Sequence, residues 1–140
     1  MTSLLNSCRA WRDAFYKRLC GRPKGFMAVN GDDVLWRGGL QPSAPVTLFL
    51  KPLFEDIDGQ EVVLVRYPAG QVNPDHVHAV GHGMFVLQGK LLTHKGTYGA
   101  NSFVWFPAGQ VMRHGATADE DVVVLFIHTG ALKTKYLRQP

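Results

Sequence analysis

A small all-β barrel or double-sheet sandwich is the fold class this sequence predicts, and three observations predict it. From about Val46 onward the apolar residues fall in short β-prone runs rather than at helical spacing. Gly, Pro and Asn separate these runs at near-even intervals. Two similar corners, Pro68-Ala69-Gly70 and Pro107-Ala108-Gly109, recur between them. Many short strands with almost no helix fit a closed or two-layer β architecture.

Taken in order, the elements begin with an exception. Leu4, Cys8, Trp11, Phe15 and Leu19 recur at helical spacing, with Ser3, Asn6 or Ser7 to cap the start and Gly21 with Pro23 to stop the end. This predicts one amphipathic helix over residues 4–19, so the chain divides into an N-terminal helix and extension (1–24) and a β-barrel (25–140). Strands are expected at Val46–Leu50, Val62–Tyr67, His76–His78, Met84–Gln88, Lys90–His94, Phe103–Phe106, Met112–His114 and Val122–His128. Asp58-Gly59 reads as a hairpin-type turn and Gln88-Gly89 as a tight reversal.

Length and composition narrow the class further. At 140 residues, 46% of them apolar, the chain is one domain with enough material for a real core. No apolar run approaches the ~20 residues of a membrane helix. Cys8 and Cys20 would lie about 18 Å apart on a continuous helix, too far for a disulfide. With no CxxC pair and with Arg9 interrupting any leader-like apolar run, a cytoplasmic setting is expected. The net charge of +4 resides in the N-terminal third: residues 1–37 hold seven Lys/Arg against three Asp/Glu, and the remainder holds eight against eight. These basic residues form no dense cluster, which argues for a solvated helix face and against nucleic acid or membrane as a partner.

The chemistry is concentrated in the histidines. Three of the six lie in one phrase, Gly70-x5-His76-x-His78-x3-His82-x6-Gly89, and His114 follows the Pro107-x-Gly109 corner. Neutral imidazoles in such a group are what a divalent transition metal needs. On a strand His76 and His78 share a face about 7 Å apart, close enough to converge on one ion. His82 has the same parity but would lie about 13 Å beyond His78 on a straight strand. Ligands sit about 2.1 Å from a metal, so the chain must turn back within Ala79-Val80-Gly81, with Gly81 and Gly83 supplying backbone freedom.

These residues resemble the cupins, whose first motif is written G-x5-H-x-H-x3,4-E-x6-G and whose second is G-x5-P-x-G-x2-H-x3-N. Gly70, His76, His78 and Gly89 match the first at every spacing, with His82 where most members place glutamate, as in four-histidine cupins. In the second, Asn101 stands at the glycine place, a substitution that Asn's tolerance of left-handed backbone allows. Met112 stands where the last histidine is expected, and His114 follows two residues later with the same strand parity. The resemblance covers roughly residues 46–130. It implies a double-stranded β-helix, or jelly-roll barrel, of the RmlC-like kind, here with a short N-terminal helix.

The ligand set expected on this basis is His76, His78, His82 and His114, which would act through one divalent ion: Fe, Mn, Ni or Zn. Four neutral ligands leave that ion its full charge and favour an anionic substrate such as an enolate or phenolate. Met84, Trp105, Met112, Phe126, His94 and His128 are candidates for the pocket around it. The resemblance implies a dioxygenase-type oxidoreductase acting on a small carbon acid. The lack of an acid/base glutamate near the motif favours this over a zinc-dependent Lewis-acid cyclase or isomerase. A non-catalytic metal or small-molecule sensor, as in cupin-containing anti-sigma proteins, is the third class. A small-molecule substrate and a homodimer are the expected partners.

Overall fold

The computed structural model describes residues 25–41 and 43–137, so the helix expected over 4–19 lies outside the described residues. After a 3-10 turn at Gly31–Asp33 come β1 (Arg37–Leu40), β2 (Thr47–Glu55), β3 (Glu61–Tyr67), β4 (Val72–His78), β5 (His82–Gln88) and β6 (Lys90–Thr93). They are followed by β7 (Gly96–Gly99), β8 (Phe103–Phe106), β9 (Met112–Ala116), β10 (Val122–His128) and β11 (Thr134–Tyr136). Two antiparallel sheets result, ordered β1-β2-β3-β10-β5-β8 and β11-β4-β9-β6-β7. Their facing sides enclose the core, so the expected all-β jelly roll is what the chain forms.

Alternation decides which residues point inward. In β3 Glu61, Val63, Val65 and Tyr67 are buried, and in β10 Val122, Val124, Phe126 and His128 are. The two strands pair in a register that sets Glu61 against His128 and Val63 against Phe126. Val46, Met84, Val86, Leu91, Met112, Val122 and Val124 lose essentially all solvent contact and form the centre of the core. Each aliphatic or thioether side chain so buried contributes about 1.5–3 kcal/mol.

Three strands escape the sequence signals: β1, β7 and β11. Arg37–Leu40 carries two glycines, Gly96–Gly99 two more, and Thr134–Tyr136 is only three residues long, so none shows an apolar alternation. β4 begins earlier than expected, at Val72, and takes in Pro74. A β-bulge between Asn73 and His76 absorbs that proline. The bulge also resets the strand's parity, so that Asn73, His76 and His78 all face inward.

Two turns differ in kind from the expectation. Gln88-Gly89 does not fold β5 back on β6, because the two belong to different sheets, and Gly89 (φ 75°) carries the chain across. Likewise Ala79-Val80-Gly81 delivers β5 to the sheet facing β4. Gly81 and Gly83 have no positive φ. A Cβ there would meet the rings of Trp105 and Phe103, respectively, and displace them. The two Pro-Ala-Gly corners behave as expected, with Gly70 at φ 77° and Gly109 at φ 73°.

Candidate metal centre

His76 and His78 project from β4, and His114 comes from the neighbouring β9, where its backbone pairs with Asn73. The Pro107–Gly109 corner is tied to this wall by a 2.8 Å hydrogen bond that the Gly109 N–H donates to the His78 carbonyl. Each of these three imidazoles offers one ring nitrogen lying within 4.8 Å of the other two. Two ligands on opposite sides of one ion are separated by about 4.2 Å, so the trio has nearly the span of a single coordination sphere.

The outward nitrogens are all engaged. His76 Nδ1–H donates to the Pro74 carbonyl at 2.6 Å. His78 Nδ1 is 3.0 Å from Thr134 Oγ1, and His114 Nδ1 is 3.2 Å from Tyr67 Oη. Anchoring Nδ1 in this way fixes the ring and turns Nε2 inward as a lone-pair donor, the usual arrangement of metal-binding histidines. Nε2 of His76 and of His114 is buried with no hydrogen-bond partner among the described residues. A buried polar atom left so costs about 1–3 kcal/mol, and several converging on one point call for a ligand that takes their lone pairs.

Protonation is suppressed at the same place. Burial, reinforced by neighbouring imidazoles, pulls His78 down to about 3 and His114 well below its ordinary value. Burial also lowers His76, although its bond to the Pro74 carbonyl works the other way. Neutral imidazoles are the form that binds a metal.

His82 approaches from the facing sheet. Its ring is stacked between Phe126 (centroids 4.5 Å, planes 20° apart) and Phe106 (4.8 Å, 14°). It lies 4.9 Å from the His78 ring and 5.8 Å from the His114 ring. Both of its nitrogens are buried and unpartnered, and burial followed by its imidazole neighbours lowers it to about 3. The trio whose nitrogens lie within 4.8 Å of one another is therefore His76, His78 and His114, with His82 standing beside it on the opposite wall.

The pocket candidates separate into three groups. Phe126 and His128 line a cavity of about 170 Å³, open to solvent on one side, that also touches His78 and His114. Met84 and Met112 are fully buried packing residues of the core. Trp105 and His94 do not face the histidine cluster, contrary to expectation. Alternation in β8 sends Val104 and Phe106 inward and leaves Trp105 52% exposed, while His94 is exposed just past the end of β6. Both line a separate cleft of about 240 Å³, together with Lys95, Tyr98 and Phe106.

The cavity contains groups that sequence reasoning missed. Glu61, Tyr67, Asn73, Thr134 and Tyr136 all border it. Glu61 Oε2 is 2.9 Å from His128 Nε2, and both side chains are nearly inaccessible to solvent. The Tyr136 hydroxyl donates to Asn73 Oδ1 at 2.9 Å. Burial pushes the Tyr67 and Tyr136 phenols up, so both remain protonated in the neutral range. A signal for Glu61 was present in the sequence: it opens the alternation Glu61-x-Val63-x-Val65-x-Tyr67, whose other members are apolar or aromatic.

Residues 25–133 match the family model described as the ChrR cupin-like domain. No curated protein matches the chain in sequence. Among solved structures, an RmlC-like cupin protein from Ralstonia eutropha superposes with a TM-score of 0.64 at 19% identity, over 76% of this chain and 69% of that one. A candidate acetylacetone dioxygenase from Methylibium petroleiphilum gives 0.68 at 16% identity over 83% of each chain. The polyketide cyclase RemF from Streptomyces resistomycificus gives 0.65 at 14% identity, over 83% of this chain and 88% of its own. At such identities these likenesses establish the shared fold. No helix among the described residues is long and apolar enough to cross a membrane.

Proposed function

The chain belongs to the ChrR cupin-like domain family, and from that premise we propose that it is a metal-dependent oxidoreductase of the dioxygenase type, acting on a small carbon acid that binds as an enolate or phenolate. The observation that carries this reading is the convergence of His76, His78 and His114, one ring nitrogen of each within 4.8 Å of the others, with Nε2 of His76 and His114 buried and unpartnered among the described residues and the Nδ1 atoms of the three held by Pro74, Thr134 and Tyr67. We take His82 as the fourth ligand, since both of its nitrogens are buried without partners beside the trio. One divalent ion of Fe, Mn, Ni or Zn held there would supply Lewis acidity and, for the redox-active metals, a means of engaging dioxygen.

The chain's own residues do the remaining work. Phe106 and Phe126 clamp the His82 ring and keep water from its faces. Leu50, Val63, Val65 and Leu132 give the cavity an apolar wall that suits the carbon skeleton of a small substrate. Tyr67 and Thr134 hold the imidazoles in orientation. No carboxylate belongs to the histidine trio, so an anionic substrate meets no like charge among those side chains.

A second reading is favoured by a different observation. Glu61 and His128 place a proton-carrying pair on the cavity wall, which a zinc-dependent cyclase or isomerase needs and a dioxygenase can do without. Metal analysis of protein purified without added metal, followed by oxygen uptake with pentane-2,4-dione, separates the two. About one iron, manganese or nickel ion per chain, lost in His76→Ala, together with substrate-dependent oxygen consumption, is expected for the dioxygenase. Zinc at the same stoichiometry without oxygen consumption supports the cyclase, and substoichiometric metal unaffected by the substitution refutes both.

A further inference from the structure

We propose that the N-terminal segment 4–19 docks on the outer face of the six-stranded sheet of its own chain. The proposal is independent of the metal and of the reaction. Strand register sets two apolar rows on that face. Leu64, Leu125, Phe85 and Phe103 stand side by side across β3, β10, β5 and β8. Val62, Ile127, Gly83 and Trp105 form the second row on the same strands, and no member of either row is charged. Between the rows lie Val63, Phe126, Met84 and Val104, which pack in the core, so both rows point away from it.

An antiparallel sheet in contact with water ordinarily alternates apolar residues inside with polar residues outside. The five-stranded sheet follows that rule. Its outer face carries Arg113, ion-paired with Asp75 at 3.3 Å, and Lys135, which pairs in register with Val77. On the six-stranded sheet Ile127, Trp105 and Phe103 are instead 39%, 52% and 59% exposed. A continuous apolar surface across four strands marks a place where something docks.

The cover begins on the β2–β3 side. Gly31 lies over Leu53 and Leu64, whose methyl groups an added Cβ would meet at 4.0 and 3.5 Å, and its carbonyl accepts a 2.8 Å hydrogen bond from Lys51 Nζ. Trp36 lies against Lys51 and Arg66 on the same two strands. The chain before Gly31 therefore approaches over this face, beside the uncovered part on β10, β5 and β8, and its own apolar residues Phe26 and Val29 are exposed. Segment 4–19 has the pattern and length to complete the cover. Leu4, Cys8, Trp11, Phe15 and Leu19 recur at helical spacing, and such a stripe requires an apolar surface. A helix over these residues measures about 24 Å, against about 14 Å from β3 to β8. Residues 20–30 can bridge up to about 35 Å, so the stripe can reach either row. A second copy would meet the chain before Gly31 at the same face, whereas the protein's own segment continues from it.

The test follows Cys8, a member of the stripe, in the full chain carrying Cys20→Ser, which leaves it as the one thiol. Its reaction with a chromogenic disulfide reagent is timed at neutral pH in buffer and in urea. Docking gives a rate at least about tenfold lower in buffer than in urea, unchanged when the protein is diluted. Leu125→Lys, at the centre of the face, should raise the buffer rate most of the way to the urea value. Thr97→Lys, at an exposed position on the outer face of the other sheet, should leave it unchanged. Circular dichroism checks that the variants fold, and Phe103→Ser, at the exposed end of the same row, replaces Leu125→Lys if that variant does not. Equal rates in buffer and urea overturn the inference. So does a slow rate that the face substitution leaves unchanged or that Thr97→Lys raises equally. Protection lost on dilution, or a dimer that Leu125→Lys converts to monomer in sedimentation, assigns the face to a second copy and overturns it as well.

Discussion

Tyr67 and Thr134 hydrogen-bond the candidate centre through imidazole Nδ1 atoms, and so decide which nitrogen each ring turns inward. Replacing Tyr67 by Phe removes the 3.2 Å contact to His114 and leaves its Nδ1 buried without a partner. Loss of such an outer partner lowers metal affinity by about 10–100-fold. Competition against a graded series of chelators should read that drop, with stoichiometry restored at saturating metal. His82 poses a different question, because its ring is held by aromatic faces and by no hydrogen bond among the described residues. His82→Leu keeps the slot between Phe106 and Phe126 filled and removes two unpartnered nitrogens. If His82 is a ligand, the metal-free variant should melt at least as high as the metal-free wild type while its metal affinity falls. An unchanged affinity would leave a three-histidine centre.

At the level of elements, the centre depends on how closely β4 and β9 approach. A Cβ on Gly115 would run into the Gln71 carbonyl and the Val72 Cα, both backbone atoms of the paired strand, and neither can move without displacing β4. Gly115→Ala is expected to cost about 2–3 kcal/mol in urea unfolding and to weaken metal binding, because it pushes His114 away from His76 and His78. Asn101 offers a milder test on the connection into β8. At φ 68° it occupies the left-handed region, so Asn101→Ala should cost about 1 kcal/mol and leave metal affinity unchanged. The role of Asn101 was legible in the sequence because its spacing from Pro107 put it where a glycine belongs. His76 and His78 were legible because strand parity and the Gly70–Gly89 frame act locally, and His114 because it follows the Pro107–Gly109 corner two residues past the expected place with the same parity. The three missed strands were not: Gly-rich or three residues long, they are made strands by their partners β2, β6 and β4 and not by their own side chains. Trp105 was misplaced for a related reason. Alternation gives two faces, but which one is inside depends on the sheet that packs against it. Glu61 was overlooked because a carboxylate was sought near the motif in sequence, whereas β3 and β10 bring it there in space.

For the whole molecule, the buried imidazoles tie stability to pH and to metal. His76, His78, His82 and His114 are all lowered in the folded protein, with His78 and His82 at about 3, whereas an unfolded chain holds them near the ordinary 6.5. Between those limits the unfolded state binds more protons than the folded one, so unfolding becomes easier as pH falls. The contribution is complete above about pH 6.5 and is withdrawn through the window down to about 3. Each such imidazole adds up to about 1.4 kcal/mol per pH unit to the slope. Metal-free protein should therefore lose melting temperature steeply between pH 7 and pH 5, and His82→Leu, with one fewer suppressed imidazole, should show the shallower profile. Metal acts on the same lone pairs and stabilises only the folded form. At a free concentration a hundred times its dissociation constant it adds about 2.7 kcal/mol, which chelation should remove reversibly. Because the bound ion excludes protons from the imidazoles, the loaded protein should keep its melting temperature to lower pH than the metal-free form and then lose metal and fold together. Parallel melting curves, with metal release followed by a chromogenic chelator, check this. Metal loss well above the unfolding transition, with no drop in melting temperature, would show that the ion is held away from the buried histidines.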